Sequence, residues 1–376
     1  MFSSLSLAKI VLHKRNFLPS LHIYPLSLIR FISSESKAHQ NSFTVSYLIN
    51  SCGLSQQKAI SASKKIHFES PTKPNSVLTL LKNNGFSDSH ISHIIAQRPT
   101  ILVSSVDETL KPTFEFFNSK GLYGSELAKV LSREGVVLGR SLEKVIIPSF
   151  DFLKSIVGTD EKVIALLKRN TNALDKTKTI ASNVALLRAH GVPMYNIQKL
   201  LVSQPRVLML KVSRLSEIVK EVKEMEFDPL RYLFLLAVHV LSSMSKSSLE
   251  DKFDVFRSWG WSEDEVQCAF RKSPYCITLS EECIMVKMDY FVNKFGYAPS
   301  SIAEQPNILL YSCEKRIIPR CSAMQILFKN GQVEQPTTLF SFLHMQEDAF
   351  LKKYISRFEK EVPELLSTYQ GKGKTG

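Results

Sequence analysis

The chain has 376 residues, of which 44% are hydrophobic and 22% charged, with a formal net charge of +13. That composition, without any low-complexity block, supports a folded core and excludes a chain that is disordered throughout. The excess of Lys and Arg over Asp and Glu favours a polyanionic partner, nucleic acid first and an anionic membrane surface second.

Residues 1–34 contain Lys9, Lys14, Arg15 and Arg30, many serines, and no acid before Glu35. This is the composition of an organellar transit peptide, and Arg30-Phe31-Ile32-Ser33-Ser34 resembles a mitochondrial processing site. Removing it takes away four cations and leaves a body of about +9. Lys14-Arg15, Pro19, Pro25 and Arg30 break the apolar stretch well short of a membrane span. Residues 35–43 read as a linker, 44–368 as the folded array and 369–376 as a flexible tail.

The body repeats itself every 32 to 36 residues. With Pro99, Gly135, Thr171, Pro205, Val238, Pro274 and Pro306 as anchors, three offsets are apolar in every unit. Eight residues before the anchor stand Ile91, Leu127, Val163, Ile197, Leu230, Val266 and Ala298. Four before it stand Ile95, Leu131, Leu167, Leu201, Phe234, Phe270 and Ile302, and three after it Leu102, Leu138, Leu174, Leu208, Leu241, Ile277 and Leu309. Offsets of this kind place one amphipathic helix in each unit, with these residues facing the core.

A glycine precedes that helix at positions 85, 121, 158, 191, 260, 296 and 331, where it suits the left-handed residue that closes a preceding helix. The fifth unit carries Glu226-Phe227 instead. Ser262 with Glu265 reads as a capping box, and Ser87-Asp88 and Thr159-Asp160 as further caps. A proline inside a helix costs roughly 3 kcal/mol, so the anchor prolines predict the end of the second helix and the start of a short, tight third segment. Pro112, Pro148 and Pro319 then suit the first turn of the next long helix. The run Leu230 to Leu241 is too short to span a bilayer and predicts a buried helix. With almost no alternating apolar pattern, the fold class is all-α: a curved α-solenoid of about seven three-helix repeats.

The recurring apolar pair, proline and leucine of Ile94-Ile95…Pro99…Leu102 and Leu200-Leu201…Pro205…Leu208 resembles the mitochondrial transcription termination factor family. The stretch Lys252…Gly260-Trp261-Ser262-Glu263…Pro274, continuing into Ser280-Glu281-Glu282, is similar to its plant branch. The resemblance covers residues 43–369, with Gly135, Thr171 and Val238 departing from the proline pattern. It implies a half-doughnut of three-helix units whose concave basic groove follows nucleic acid, acting in organellar transcription and its termination or in intron splicing and RNA maturation. The pentatricopeptide repeat is the competing fold with a similar period; the variable spacing and mid-repeat proline argue against it.

In a solenoid, equivalent positions form stripes, so a cation repeated at one offset becomes a track for phosphates. Arg98, Arg133, Arg169, Arg271 and Lys272 lie just before anchors, and Arg206 just after one. Lys144, Lys211, Arg214, Lys315, Arg316 and Arg320 lie near the ninth residue beyond an anchor or a little further. These twelve are the candidate nucleic-acid contacts. Phe114, Phe116, Phe117, Phe150 and Phe152 fall at helical spacing and read as core rather than as stacking platforms.

No catalytic constellation emerges, and no P-loop, H-E-x-x-H or G-x-S-x-G stands in the chain. His90 and His93 share a helix face without further evident ligands, so no metal and no cofactor is expected. The six cysteines, at 52, 268, 276, 283, 313 and 321, form no C-x-x-C pair and read as buried or free thiols in a reducing compartment. The sequence thus points to a monomeric mitochondrial factor that binds duplex DNA to regulate or terminate transcription, possible partners being organellar transcription or splicing proteins. An RNA-binding splicing factor, a protein-interaction scaffold and a plastid address are the alternatives.

Overall fold

A computed structural model describes residues 43–133, 137–333 and 339–371. The leader, residues 35–42 of the linker, the Gly135 anchor and residues 372–376 of the tail lie outside the described residues. Among the described residues every element is a helix, and no helix is long and apolar enough to cross a membrane. The chain alternates a first helix, a left-handed turn, a second helix and a short third segment. Thr72–Asn83, Asp88–Gln97 and Pro99–Val103 make up the first of seven such units.

Local chemistry sets the alternation. Gly85, Gly121, Gly158, Gly191, Gly260, Gly296 and Gly331 all have φ between 68° and 100°. Glu226, in the glycine-free fifth unit, adopts φ 62° itself. The Ser262–Glu265 capping box forms, Thr159 caps its helix, and Ser87 forms a box in which His90 takes the part usually played by Glu.

Pro99, Pro274 and Pro306 each open a 3₁₀ segment, and Pro205 opens a single α turn. Thr171 starts its 3₁₀ segment without proline: Asn170 accepts the Asn172 N–H at 3.0 Å, and the Thr171 hydroxyl donates to the Val130 carbonyl at 3.3 Å. In the fifth unit Tyr232–Ser243 runs unbroken through Val238, and it contacts both Pro205–Leu208 and Pro274–Thr278. One helix there takes the place of two elements.

Pro112, Pro148 and Pro319 lie in the first turns of Lys111–Ser119, Ile147–Val157 and Ile318–Lys329, and each follows a wide π turn. The turn begins at a serine cap, Ser105, Ser141 or Ser312. Proline has no N–H and its ring would strike the carbonyl four residues back. Bonds spanning five residues, such as Lys111 N–H to Val106 O and Ile318 N–H to Cys313 O, open that turn ahead of the ring.

Second helices pack on one another from Gln56–Ser63 through Asp88–Gln97 to Gly124–Ser132, and from Asp160–Arg169 in unit order to Pro299–Glu304. Among the first helices, Thr177–Ala189 lies against both Ile147–Val157 and Val212–Glu224, and Lys246–Ser258 against Glu281–Asp289. The apolar residues at −4 and +3 are buried in all seven units and belong to one continuous core. The −8 offset holds in five units only. Leu230 is 61% exposed and Ala298 is exposed, because their helices start later, at Tyr232 and Pro299. Phe114, Phe117 and Phe150 are core, whereas Phe116 and Phe152 are half-buried against it.

Buried donors on first helices close the ends of the short segments, where carbonyls lack helical partners. Asn183 donates to the carbonyls of Leu208 and Leu210, both at 2.9 Å, and Lys287 to that of Leu309 at 2.6 Å. Arg320 is completely buried. It donates to the carbonyls of Phe342, Leu343 and Met345 and pairs with Glu347 at 2.7 Å over the Phe350 ring. Tyr369, from the last helix Glu364–Tyr369, donates to the same carboxylate, which ties the C-terminal helix to the end of the array. Burial pushes the Glu347 carboxyl up, but hydrogen bonds from Tyr369 and Arg320 outweigh it and hold the group below its usual range.

Two outcomes follow from these contacts. Glu226→Gly removes left-handed strain and raises stability by up to about 1 kcal/mol in a denaturant titration; a lower midpoint would contradict the strain. Arg320→Leu strands the carbonyls of Phe342, Leu343 and Met345, the first two fully buried, and costs on the order of 3 kcal/mol. Because Glu347 has a depressed folded pKa, its contribution is complete above about pH 4.3 and lost as the pH falls through the lower folded value. Protease cleavage near the C-terminus should therefore rise on acidification in the wild type, and should already be high at neutral pH in the variant.

Candidate nucleic-acid interface

Each first helix runs from the edge of the array where the short segments lie to the edge where the glycine turns lie, and each second helix runs back. The two edges carry opposite electrostatic arrangements. At the glycine edge, basic residues end the first helices and acids open the second ones, as helix dipoles favour. These charges pair locally: Lys82 with Asp88 at 3.2 Å, Lys120 and Lys154 with Asp160 at 3.3 and 3.0 Å, and Arg257 with Glu263 at 2.7 Å. The Lys154 ammonium beside it holds the Asp160 carboxyl below its ordinary range, desolvation opposing and Lys120 assisting.

At the proline edge the middle units break the dipole rule. Thr177–Ala189 and Val212–Glu224 have no acid in the first turn; they carry Lys178 and Arg214 there and are preceded by Lys176 and Lys211. A cation at a helix N-terminus costs roughly 0.3–1 kcal/mol, a cost that an arriving anion reverses. The third unit carries Glu143 beside Lys144; the sixth again lacks an acid in its first turn but its Lys246 pairs with Glu221 at 3.7 Å; acids return at Glu281 and Glu282 in the seventh. A cavity of about 450 Å³ opens on this edge between the third and fourth units, lined by Lys144, Phe152, Asp175 and Lys178 among others.

The mTERF family model matches residues 78–231 and 235–351. The chain belongs to the mTERF family. The break in the match falls where the fifth unit starts its unbroken second helix. Comparison with curated proteins gives no match. mTERF proteins are organellar nucleic-acid-binding proteins built from helical repeats, a binding rather than enzymatic family.

In this mTERF protein the twelve cations read from the sequence fall into four groups. Lys144, Arg169, Arg206, Lys211 and Lys315 are exposed at the proline edge and make no ion pair with a described residue. Others staple one unit to the next. Arg98 donates to the Gly139 carbonyl at 3.1 Å, with its guanidinium so close that a side chain at Gly139 would collide with it. Arg133 donates to the Lys168 carbonyl, and Lys272 to that of Glu304 at 3.0 Å, each meeting the C-terminal end of a neighbouring second helix. Arg214 pairs with Glu217, Arg271 with Glu226, and Arg316 lies over the Tyr311 ring.

Arg320 stands apart. It is enclosed by the C-terminal cap and presents nothing to a ligand.

Lys176 and Lys178, exposed beside the cavity, and Arg140, paired with Asp175 at 3.0 Å, extend the basic edge although the sequence reading passed over them. Their signal was available in the serine or lysine that precedes each first helix after that of the first unit, which fixes the edge more closely than the proline anchor does. His90 and His93 are engaged in the Ser87 cap and with Gln97 and the Arg133 carbonyl. Among the described residues, no cluster of three or more metal-ligating side chains exists.

Replacing Lys178, Arg206 and Lys211 together by Gln should flatten the salt dependence of nucleic-acid binding by about three units of slope. Lys82→Gln, on the glycine edge, should leave it unchanged. Equal effects from both edges would contradict the assignment.

Proposed function

We propose that this mTERF protein is a mitochondrial transcription regulator that holds duplex DNA along the proline edge of its middle units. The observation that carries the reading is the run of exposed cations at first-helix N-termini, where the helix dipole, backbone N–H groups and side chains all favour phosphate. Regulation follows from occupancy. Phosphate contacts supply most of the affinity, and base-edge or shape contacts the choice of site. The mitochondrial address rests on the acid-free, serine-rich leader and its Arg30 motif.

About six neutralised phosphates give a slope of log K against log salt near −5 on duplex DNA. Binding that is negligible near 0.15 M salt would instead favour a protein-interaction scaffold. Crosslinking the tagged protein in organelles, then sequencing bound DNA and bound RNA, tests the ligand directly. Enrichment of discrete DNA sites is expected, and enrichment of intron RNA without DNA would overturn the reading in favour of splicing. A fluorescent fusion of the first forty or so residues should enter mitochondria; plastid signal would overturn the address.

A further inference from the structure

All six cysteines are free thiols, and three of them, Cys52, Cys276 and Cys321, are sealed in the core. The remaining three are half-buried, and two of these, Cys283 and Cys313, line one cavity of about 400 Å³. They come from successive units. Cys283 lies in the first turn of Glu281–Asp289, whose cap Ser280 accepts its N–H at 3.2 Å. Cys313 opens the π turn Cys313–Ile317 immediately after the equivalent cap, Ser312. Both caps stand six residues beyond their anchors, Pro274 and Pro306, so the two thiols sit on neighbouring first turns at the proline edge.

The surroundings distinguish this part of the edge from the basic middle. Cys283 occupies the register, nine residues past the anchor, that holds Lys144, Arg214 and Lys315 in other units. The cavity wall adds Val286, Lys287, Glu282 and Glu314. Burial raises the Cys313 thiol above its usual range, while the neighbouring Lys287 ammonium acts in the opposite direction. Lys287 is itself fixed by its bond to the Leu309 carbonyl, so the cavity keeps a cation in its wall.

We propose that Cys283 and Cys313 form a reversible disulfide that links the first turns of two adjacent units when the protein meets hydrogen peroxide. One thiolate sulfur attacks the peroxide and the O–O bond breaks, leaving a sulfenic acid and releasing the other oxygen as water after protonation. The second thiolate attacks that sulfur, the S–S bond forms, and the sulfenic oxygen leaves as a second water. Two thiols are oxidised, one peroxide is reduced by two electrons, and a dithiol reverses the bond. A disulfide holds its Cα atoms about 4.4–6.8 Å apart, so the bond sets the spacing of two successive units on the edge proposed to hold nucleic acid. The regulatory consequence rests on that proposed function; the bond itself does not.

The full chain, folded and reduced, is treated with a small excess of hydrogen peroxide, then alkylated and mapped by mass spectrometry without reduction. The expected product is one Cys283–Cys313 peptide pair that disappears with dithiothreitol and is absent in Cys283→Ser and in Cys313→Ser. Separate oxidation of the two cysteines to sulfinic acids, continued alkylation of both, or pairing of either with another cysteine would overturn the proposal. Duplex-DNA affinity measured on the same samples should differ at least threefold between oxidised and reduced wild type, and not between the two treatments of Cys283→Ser. A mapped bond with unchanged affinity would overturn the regulatory role and keep the bond. Failure of the reduced protein to bind nucleic acid would count against the proposed function and leave the mapping result standing.

Discussion

An α-helix cannot continue through a residue that lacks an N–H and whose ring meets the carbonyl one turn back. At Pro99, Pro205, Pro274 and Pro306 that constraint ends the second helix and turns the chain into a short segment. The buried leucine or isoleucine three residues later pins that segment to the core. Everything at this edge depends on the break: the exposed first turns of the next helices, their serine or lysine caps, and the carbonyls that Asn183, Lys287 and Arg320 satisfy from within. Unit three reaches the same end with Asn170 and Thr171, and unit five dispenses with it by running one helix through both positions.

The two edges divide the charge of the molecule. Where acids and bases follow the helix dipoles, as from Lys82–Asp88 to Arg257–Glu263, they neutralise one another and contribute modest stability. Where cations oppose the dipoles, Arg214 is paired with Glu217, but Lys178 and the adjoining Lys176 and Lys211 make no ion pair with a described residue, an unfavourable local arrangement in the free protein. A local rule broken in consecutive units points to a ligand rather than to folding. Membership of the mTERF family supplies the class of that ligand, nucleic acid.

Much of the scaffold was legible before any coordinates because its causes are local. Left-handed glycines, caps and prolines act within a few residues, and the −4 and +3 apolar positions face inward whatever their neighbours do. The −8 position failed at Leu230 and Ala298 because it presumes a helix start that Asp228-Pro229 and Pro299 postpone. The π turns before Pro112, Pro148 and Pro319 escaped notice because their cause is a clash, visible only once the helix is known to begin upstream of the proline.

The site was less legible than the scaffold. Arg320 and Lys315 look alike in sequence, yet one is sealed beneath Phe342, Phe350 and Tyr369 and the other is exposed; the difference is made by residues more than twenty positions away. Arg98, Arg133 and Lys272 likewise spend their hydrogen bonds on the next unit. The central claim, that phosphates lie along the first turns of the middle units, is tested most directly by photocrosslinking the protein to a short DNA duplex and mapping the attached peptides. The account predicts attachment within residues 140–144, 174–178 and 206–214. Attachment concentrated around Lys82, Lys120, Lys154 and Arg257 on the glycine edge would contradict it.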